Sequence, residues 1–221
     1  MARPPRPNAH EALLQAARAE FSRRGLERAR VEDIARRAGV SKGAFYLHFR
    51  TKEDAFKELL QRFLGALEAL VQRRVAATAR FDEAQAGRRG PAGATARWFQ
   101  LEWALDTELL ELLWANRLLQ RVLDGAGAQR WSKPMDLFRS RMRALATGRI
   151  AERQAAGQLR PDLDAEVIGD LVTGGYEGLA RRMADLPARP DLAAWAGSCL
   201  ALVYQGLLAP PAPPPRRRAA R

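Results

Sequence analysis

The sequence predicts an all-α protein of nine helices in two domains. Of its 221 residues, 47% are hydrophobic and 28% are charged, which provides sufficient apolar material for a sizeable core. Alanine, leucine and arginine dominate and β-branched residues are scarce, a bias that favours helix over sheet. No segment alternates apolar and polar residues strictly enough to demand a strand.

Capping residues divide the first part of the chain into four helices. Asn8 is expected to cap the first helix and Gly25 to end it, and Gly39 is expected to end the second in a left-handed conformation. Ser41 and Thr51 are expected to cap the next two. The helices after the first are predicted over residues 31–38, 42–47 and 52–78.

Clusters of glycine, proline and aspartate divide the rest of the chain. Residues 82–93 are predicted to form a loop, and further breaks are expected near residues 124–127, 157–164 and 187–190. The remaining five helices are therefore predicted over residues 94–106, 108–123, 133–157, 164–185 and 191–208.

The two ends of the chain are predicted to be disordered, as an arm over residues 1–7 and a proline- and arginine-rich tail over residues 209–221. The start lacks the apolar segment of a signal peptide. The longest weakly polar stretch, residues 195–209, is too short to span a bilayer. We therefore expect a soluble, cytoplasmic protein with no membrane partner.

The positive charge is concentrated at the start of the chain. The formal net charge is +12, and residues 1–62 hold 14 lysines and arginines against 8 aspartates and glutamates. The long segment over residues 63–209 is nearly neutral. A basic segment on a neutral body indicates a polyanionic partner at one end, such as nucleic acid or an acidic membrane surface.

The second and third helices have the spacing of a helix-turn-helix. Ala35 lies one turn before Gly39, where a small side chain lets two helices cross closely, and Ser41 starts the next helix. Small or hydrogen-bonding side chains on that helix suit a major groove. The turn signal alone is weak, because two helices that cross only for packing would have the same pattern.

A longer string identifies the type of helix-turn-helix. Residues 31–53 read VEDIARRAGVSKGAFYLHFRTKE, and Leu13, Leu14, Phe21 and Gly25 precede them. This string resembles the DNA-binding signature of the TetR family of bacterial transcriptional regulators, over about the first quarter of the chain. The resemblance implies a helix-turn-helix domain over residues 8–51 and a ligand-binding and dimerisation domain over residues 52–208.

The resemblance also implies roles for particular residues. The family commonly has a threonine before the second helix, where this chain has Ala29 and Arg30, so a hydroxyl cap is lost and Arg30 is a candidate phosphate contact. Ser41, Lys42, Gly43 and Ala44 are expected at the groove. The expected phosphate contacts are Tyr46, His48 and Lys52.

Gly43 is unusual because a glycine inside so short a helix costs about 1 kcal/mol relative to alanine. Two explanations are open. The helix backbone approaches DNA closely at this position, or it packs tightly against the first helix.

No catalytic or cofactor motif appears. The sequence contains no Gly-x-Ser-x-Gly elbow, phosphate-binding loop or dinucleotide fingerprint. Its histidines are His10 and His48, and its single cysteine is Cys199. We therefore expect no enzyme activity, no cofactor and no metal. Cys199 is interpreted as a buried free thiol, with a redox switch across a dimer as the alternative.

The helix predicted to begin at residue 94 carries carboxylates within a broad apolar face. Glu102 lies among aromatic residues and Asp106 lies one turn further along. Burial of a carboxylate is costly unless it is paired, and Arg117, Arg139 or Arg143 could supply an internal partner. Alternatively, the face lines a pocket for an effector, for which a lipophilic cation is one candidate. The candidate pocket residues are Phe63, Leu67, Trp98, Glu102, Trp103, Asp106, Trp114, Phe138 and Met142.

The last two helices carry apolar stripes, which fit either an intrachain core or an interface. The resemblance implies that these helices pair with their mates in a four-helix dimer bundle. The candidate interface residues are Ile168, Leu171, Val172, Gly175, Leu179, Trp195, Cys199 and Leu202.

These observations predict a ligand-responsive repressor that binds a palindromic operator as a homodimer and is released by a small-molecule inducer. The alternative is an architectural DNA-binding protein without a small-molecule ligand. A cavity above the helix-turn-helix would favour the repressor.

Overall fold

The computed structural model describes residues 9–85, 91–123 and 129–207, and within these ranges it contains eight α-helices and no β-strand. The N-terminal helices form a helix-turn-helix unit, and the longer helices form a second, larger domain. The helices are α1 (Ala9–Arg28), α2 (Val31–Ala38), α3 (Lys42–His48), α4 (Lys52–Gln85), α5 (Pro91–Leu123), α6 (Gln129–Ala155), α7 (Ala165–Asp185) and α8 (Leu192–Leu207).

The predicted caps Gly39, Ser41 and Thr51 are confirmed, and Gly39 ends α2 with a φ of 71°. The prediction that Gly25 ends the first helix is wrong, because Gly25 interrupts α1 with a φ of 75° but the helix resumes and extends to Arg28. At the start of α4, the Asp54 amide donates a hydrogen bond to the Thr51 hydroxyl over 3.1 Å, while the Thr51 amide donates to the Asp54 carboxylate over 3.0 Å. The Ala194 amide donates to Asp191 at the start of α8.

The prediction of nine helices is wrong within these ranges, because the helices predicted over residues 94–106 and 108–123 form the single helix α5. No glycine or proline separates them, and the Thr107 hydroxyl donates to the Trp103 carbonyl without breaking the helix. For the same reason α4 continues past Thr78, through strong helix formers, to Gln85. The loop predicted over residues 82–93 is therefore too long.

Several predictions lie outside the described residues. These are the Asn8 cap, the arm over residues 1–7, the break at residues 124–127 and the tail over residues 209–221.

One apolar core extends through both domains. Phe21 of α1 and Phe45 of α3 pack with Phe56 of α4, and all three are almost fully buried. The Phe56 ring lies 4.9 Å from the ring of Trp131 in α6, measured between centroids. Helix α5 packs against α1, α4, α7 and α8, so it forms the centre of the larger domain.

A buried carboxylate fixes the angle between α1 and α2. Glu20 of α1 is 2% exposed, and the Arg37 side chain of α2 donates to it over 2.9 Å. Arg23 donates to it over 3.1 Å. Burial raises the pKa of Glu20, but the hydrogen bonds from these arginines outweigh that effect, and the net pKa is below the ordinary value of 4.5.

We expect Glu20→Gln to lower the free energy of unfolding at neutral pH by about 1–3 kcal/mol, since the arginines lose a buried charged acceptor. A carboxylate with a lowered folded pKa stabilises the protein above its unfolded pKa, and that contribution disappears as pH falls through the folded pKa. Urea unfolding should therefore give curves for wild type and variant that converge as the pH falls below about 4.5. Glu83→Gln, at an exposed position of α4, is the control and should track wild type throughout. A constant gap across the pH range would contradict the role of the Glu20 charge.

Candidate nucleic-acid interface and effector cavity

The turn between α2 and α3 is built by two caps. The backbone amide of Gly39 bonds the Ala35 and Arg36 carbonyls, and the Ser41 side chain accepts a hydrogen bond from the Ala44 amide over 3.1 Å. Phe45 and Phe49 then anchor one side of α3 in the core, at 0% and 4% exposure. The opposite face of this short helix is consequently directed to solvent.

The exposed face of α3 contains most of the residues predicted to lie at the groove. Ala44 is half-buried and Tyr46 is 50% exposed. Leu47 is 84% exposed, and sequence reasoning missed it because an apolar residue in a helix is normally assigned to the core. The other exposed residues of this segment are Ser41, Lys42, Gly43 and His48.

Gly43 has no tight packing contact with the part of the chain that the structure describes. A Cβ atom built on it would meet only the Ser41 hydroxyl, at 3.7 Å, which is ordinary contact. The explanation that Gly43 packs tightly against α1 is therefore wrong. The other explanation, close approach of the helix backbone to DNA, stays a prediction.

Two lysines at this surface have partners in the chain. Lys42 forms an ion pair with Glu32 of α2, and the hydrogen bond between them raises the pKa of Lys42 and lowers that of Glu32. The Lys52 ammonium donates to the Glu27 and Ala29 carbonyls, over 2.8 and 3.1 Å. Lys52 therefore joins the end of α1 to α4. An ammonium has three protons, and only two of them have an acceptor among the described residues.

Arg30 and His48 flank the helix-turn-helix at exposed positions. Arg30 precedes α2 and makes no side-chain capping hydrogen bond, as expected from the absence of a hydroxyl. The His48 ring lies 5.5 Å from the His10 ring, which brings the start of α1 to the end of α3.

The larger domain contains a cavity of about 290 Å³ lined by α4, α5, α6, α7 and α8. Six of the nine predicted pocket residues line it. These are Phe63, Leu67, Glu102, Asp106, Phe138 and Met142.

The three predicted tryptophans are not among the lining residues, which corrects that part of the prediction. Trp103 is 45% exposed and donates its ring N–H to the Ala193 carbonyl, so it joins α5 to α8. Trp114 packs beside the main core, with the Arg117 guanidinium 3.8 Å above its ring. Trp98 is buried under Arg153.

The buried carboxylates of α5 have an internal partner, as one interpretation of the sequence required. The partner is Arg74 of α4, whereas the arginines proposed from the sequence were Arg117, Arg139 and Arg143. The Arg74 guanidinium binds Glu102 and also Asp106, the latter at 2.5 Å. Both carboxylates are at most 2% exposed.

Tyr176 of α7 extends this network. It forms a hydrogen bond with Asp106, and burial together with the Asp106 charge raises the pKa of Tyr176 above its ordinary value. We name Arg74, Glu102, Asp106 and Tyr176 the buried network. It joins α4, α5 and α7 at one wall of the cavity.

Comparison with known proteins identifies the family. The family model for bacterial regulatory proteins of the tetR family matches residues 13–59. The transcriptional regulator TtgR of Pseudomonas putida is 30% identical over 189 residues, covering 81% of this chain and 82% of TtgR. The chain belongs to the TetR family. It is thus a transcriptional regulator with an N-terminal helix-turn-helix.

Other TetR-family members are similar over different lengths. The repressor KstR2 of Mycobacterium tuberculosis is 47% identical over 57 residues, which cover 26% of this chain and only 28% of KstR2. The KstR2 structure nevertheless has a TM-score of 0.62 at 23% identity, covering 91% of this chain and 95% of KstR2. A SmeT–triclosan complex has a TM-score of 0.64 at 18% identity, covering 92% of this chain and 93% of SmeT. The fold is therefore shared well beyond the helix-turn-helix.

The TetR-family fold leaves an apolar surface exposed on α7 and α8. Val167 and Leu171 are 55% and 71% exposed, and Leu202 is 80% exposed. Gly174, Gly175 and Gly178 are exposed on α7 between and beyond these side chains. We name these six exposed residues of α7 and α8 together the outer face.

Several predicted interface residues do not belong to the outer face. Ile168 is buried against Ile150 and Leu159 because α6 covers that side of α7, and Val172 packs against the same cluster. Cys199 lines the cavity, and burial followed by the Asp106 charge raises the pKa of its thiol. This favours the inert thiol over the redox switch. Leu179 and Trp195 pack against the main core.

None of the helices within the described ranges is long and apolar enough to cross a membrane. Those ranges also hold no cluster of three histidine, cysteine, aspartate or glutamate residues positioned for a metal ion.

Proposed function

We propose that this TetR-family regulator is a repressor that binds a two-fold symmetric operator as a homodimer and dissociates when a small molecule enters the cavity. The observation that carries this proposal is the path of α4. This helix starts beside the helix-turn-helix at Lys52 and reaches the cavity through Phe63, Leu67 and Arg74 without interruption.

In the proposed DNA complex, α3 enters the major groove with Ser41, Lys42, Gly43 and Ala44 toward the bases. Lys42 exchanges its ion pair with Glu32 for contacts with DNA. The proposed phosphate contacts, which position the protein without reading sequence, are Arg30, Tyr46, His48 and Lys52.

Gly43→Ala should separate folding from DNA binding. Because the new methyl group would make only an ordinary contact with the described residues, at the Ser41 hydroxyl, we expect the unfolding free energy to rise by about 0.5–1 kcal/mol. Affinity for a duplex enriched by the wild-type protein from a random pool should fall about tenfold or more, since steric overlap costs roughly 1–3 kcal/mol.

The matched control is Gly148→Ala in α6, where a Cβ atom also meets nothing within 4 Å. It should gain stability and keep full DNA affinity. Thermal unfolding and fluorescence anisotropy of the labelled duplex give the two readouts. Undiminished affinity of the Gly43→Ala protein would contradict close approach of α3 to DNA.

The outer face is the proposed dimer interface. Its glycines let helices of two subunits approach closely, while Leu171 and Leu202 provide apolar surface that is costly to expose. Two recognition helices related by the dimer axis should then lie about 34–36 Å apart, which matches successive major grooves.

We expect Leu202→Glu to yield monomers in analytical ultracentrifugation, because the charge would be buried without a partner. Specific duplex affinity should be lost with the dimer. Leu137→Glu, at a 57% exposed position of α6, is the control and should remain dimeric. A dimeric Leu202→Glu protein that still binds the duplex would show that the dimer interface lies elsewhere.

The proposed effector has an apolar body against Phe63, Leu67, Phe138 and Met142 and a polar group toward the buried network. Glu102 and Asp106 share one guanidinium, so that end of the cavity retains a negative charge, which favours a cationic group. The cavity is also lined by Arg139, Arg149 and Arg153. Because these side chains carry positive charge, the charge preference of the effector is tested with compounds of different charge. A ligand that displaces α4 would alter the spacing of the two recognition helices, provided it binds the displaced state more tightly.

Glu102→Gln should distinguish effectors by charge. We expect a cationic aromatic compound to release the duplex at about tenfold lower concentration than a neutral analogue of the same size, and the substitution to remove this advantage, about 1.4 kcal/mol. Duplex affinity without effector should be retained, because Asp106 continues to pair with Arg74 and keeps α4 in place. Tryptophan fluorescence would report binding and anisotropy would report release.

Glu108→Gln, on the same helix but exposed, is the matched control. Equal action of cationic, neutral and anionic compounds on all three proteins would reject the cationic effector and leave the α4 mechanism standing. Failure of every compound to bind would favour the architectural alternative, which the presence of the cavity argues against.

A further inference from the structure

The exposed face of α3 contains a side chain that polar recognition of DNA does not explain. Leu47 is the most exposed of the large hydrophobic residues that the structure describes, at 84%. Leu47 is distant in sequence from the residues of the outer face. It lies on α3, the helix proposed to enter the major groove. Its side chain can neither donate nor accept a hydrogen bond.

Leu47 and Gly43 are neighbours on this face. They are four residues apart, so they lie on consecutive turns of one side of α3. A helical leucine side chain points back toward the N-terminus and covers the turn before its own Cα atom. Leu47 therefore lies on the side of the turn that contains Gly43, where a Cβ atom would make one ordinary contact, with the Ser41 hydroxyl at 3.7 Å, and would have no Leu47 atom within 4 Å.

The result is a notch with an apolar wall, formed by Leu47, and a floor formed by the α3 backbone at Gly43. Lys42 and Tyr46 lie beside it on the exposed face. A notch of this kind accepts a small apolar group that projects toward the helix. A hydrogen-bonding group placed against the Leu47 side chain would lose water without gaining a partner from it.

Base pairs present only one apolar group in the major groove, the C5-methyl group of thymine. The other groups on the groove edges are hydrogen-bond donors and acceptors, which Leu47 cannot match. The basic charge of residues 1–62 favours a nucleic-acid partner over an apolar protein partner at this surface.

We propose that Leu47 is a specificity-determining residue that, together with the space above Gly43, receives the methyl group of one thymine in each operator half-site. This inference rests on the proposed function, since it requires α3 to read DNA. It adds a base preference that the polar residues of α3 do not provide.

Replacement of thymine by deoxyuridine tests the inference, because it removes only the methyl group. The probe is a symmetric duplex enriched by the full-length wild-type protein from a random pool, with each thymine replaced in turn in both half-sites. For wild type, deoxyuridine at one position should weaken binding about fourfold per half-site, as expected for loss of one buried methyl group.

Leu47→Ala should lose that single penalty and keep the penalties at all other thymines. Because Leu47 is largely exposed, the variant should unfold at the wild-type temperature, and thermal unfolding checks this. Leu137→Ala, which truncates an exposed leucine of α6, is the matched control and should reproduce the wild-type deoxyuridine profile.

Three results would overturn the inference in distinguishable ways. An identical deoxyuridine profile in wild type and Leu47→Ala would show that Leu47 does not read thymine. A uniform loss of affinity in Leu47→Ala, with the profile retained, would place Leu47 against the sugar–phosphate backbone. If the wild-type protein enriches no sequence, the proposed operator binding fails and the inference fails with it.

Discussion

The position of α4 is the constraint on which both parts of the molecule depend. At its start, Ala55 and Phe56 are fully buried in the helix-turn-helix unit. Two turns later, Phe63 and Leu67 line the cavity. The helix has 34 residues and is therefore about 51 Å long. The helix is continuous from Lys52 to Gln85, including at Gly65 in its middle, so movement at the cavity would be transmitted to the helix-turn-helix as a displacement of the whole element.

Buried ion pairs fix helix positions at both ends of this arrangement. Glu20 requires Arg37 at a defined place on α2, and the carboxylates of α5 require Arg74 on α4. Replacement of such pairs by apolar residues is often neutral for stability, whereas removal of one partner leaves a buried charge that is costly. Each pair therefore disfavours other arrangements of its helices. A ligand that competes for Arg74 would act on the interaction that determines where α4 lies.

The sequence predicted most reliably what local chemistry determines. Gly39, Ser41 and Thr51 define boundaries through backbone conformation or caps, and these were confirmed. Boundaries without a glycine, proline or cap, such as the one expected at residue 107, were wrong because helix propensity continues through them. Arg74 was missed as the partner of Glu102 because the pair is separated by 28 residues and depends on how α4 and α5 cross. Leu47 was missed because hydrophobicity alone does not distinguish an exposed leucine from a core residue.

The two sides of α7 have different surroundings, which the periodicity of its apolar residues does not distinguish. They also relate the cavity to the outer face. The predicted stripe combined Ile168 and Val172, which pack inside the chain, with Leu171, which is exposed. All three residues lie close together in the chain, and the position of α6 against α7 determines which of their side chains are buried. Tyr176 on the same helix bonds to Asp106 in the buried network. In the proposed dimer, α7 would thus contact the partner subunit on one side and the buried network on the other. An effector bound at the buried network would then affect α4 directly and the dimer interface through α7. A change in the spacing of the two recognition helices requires both effects.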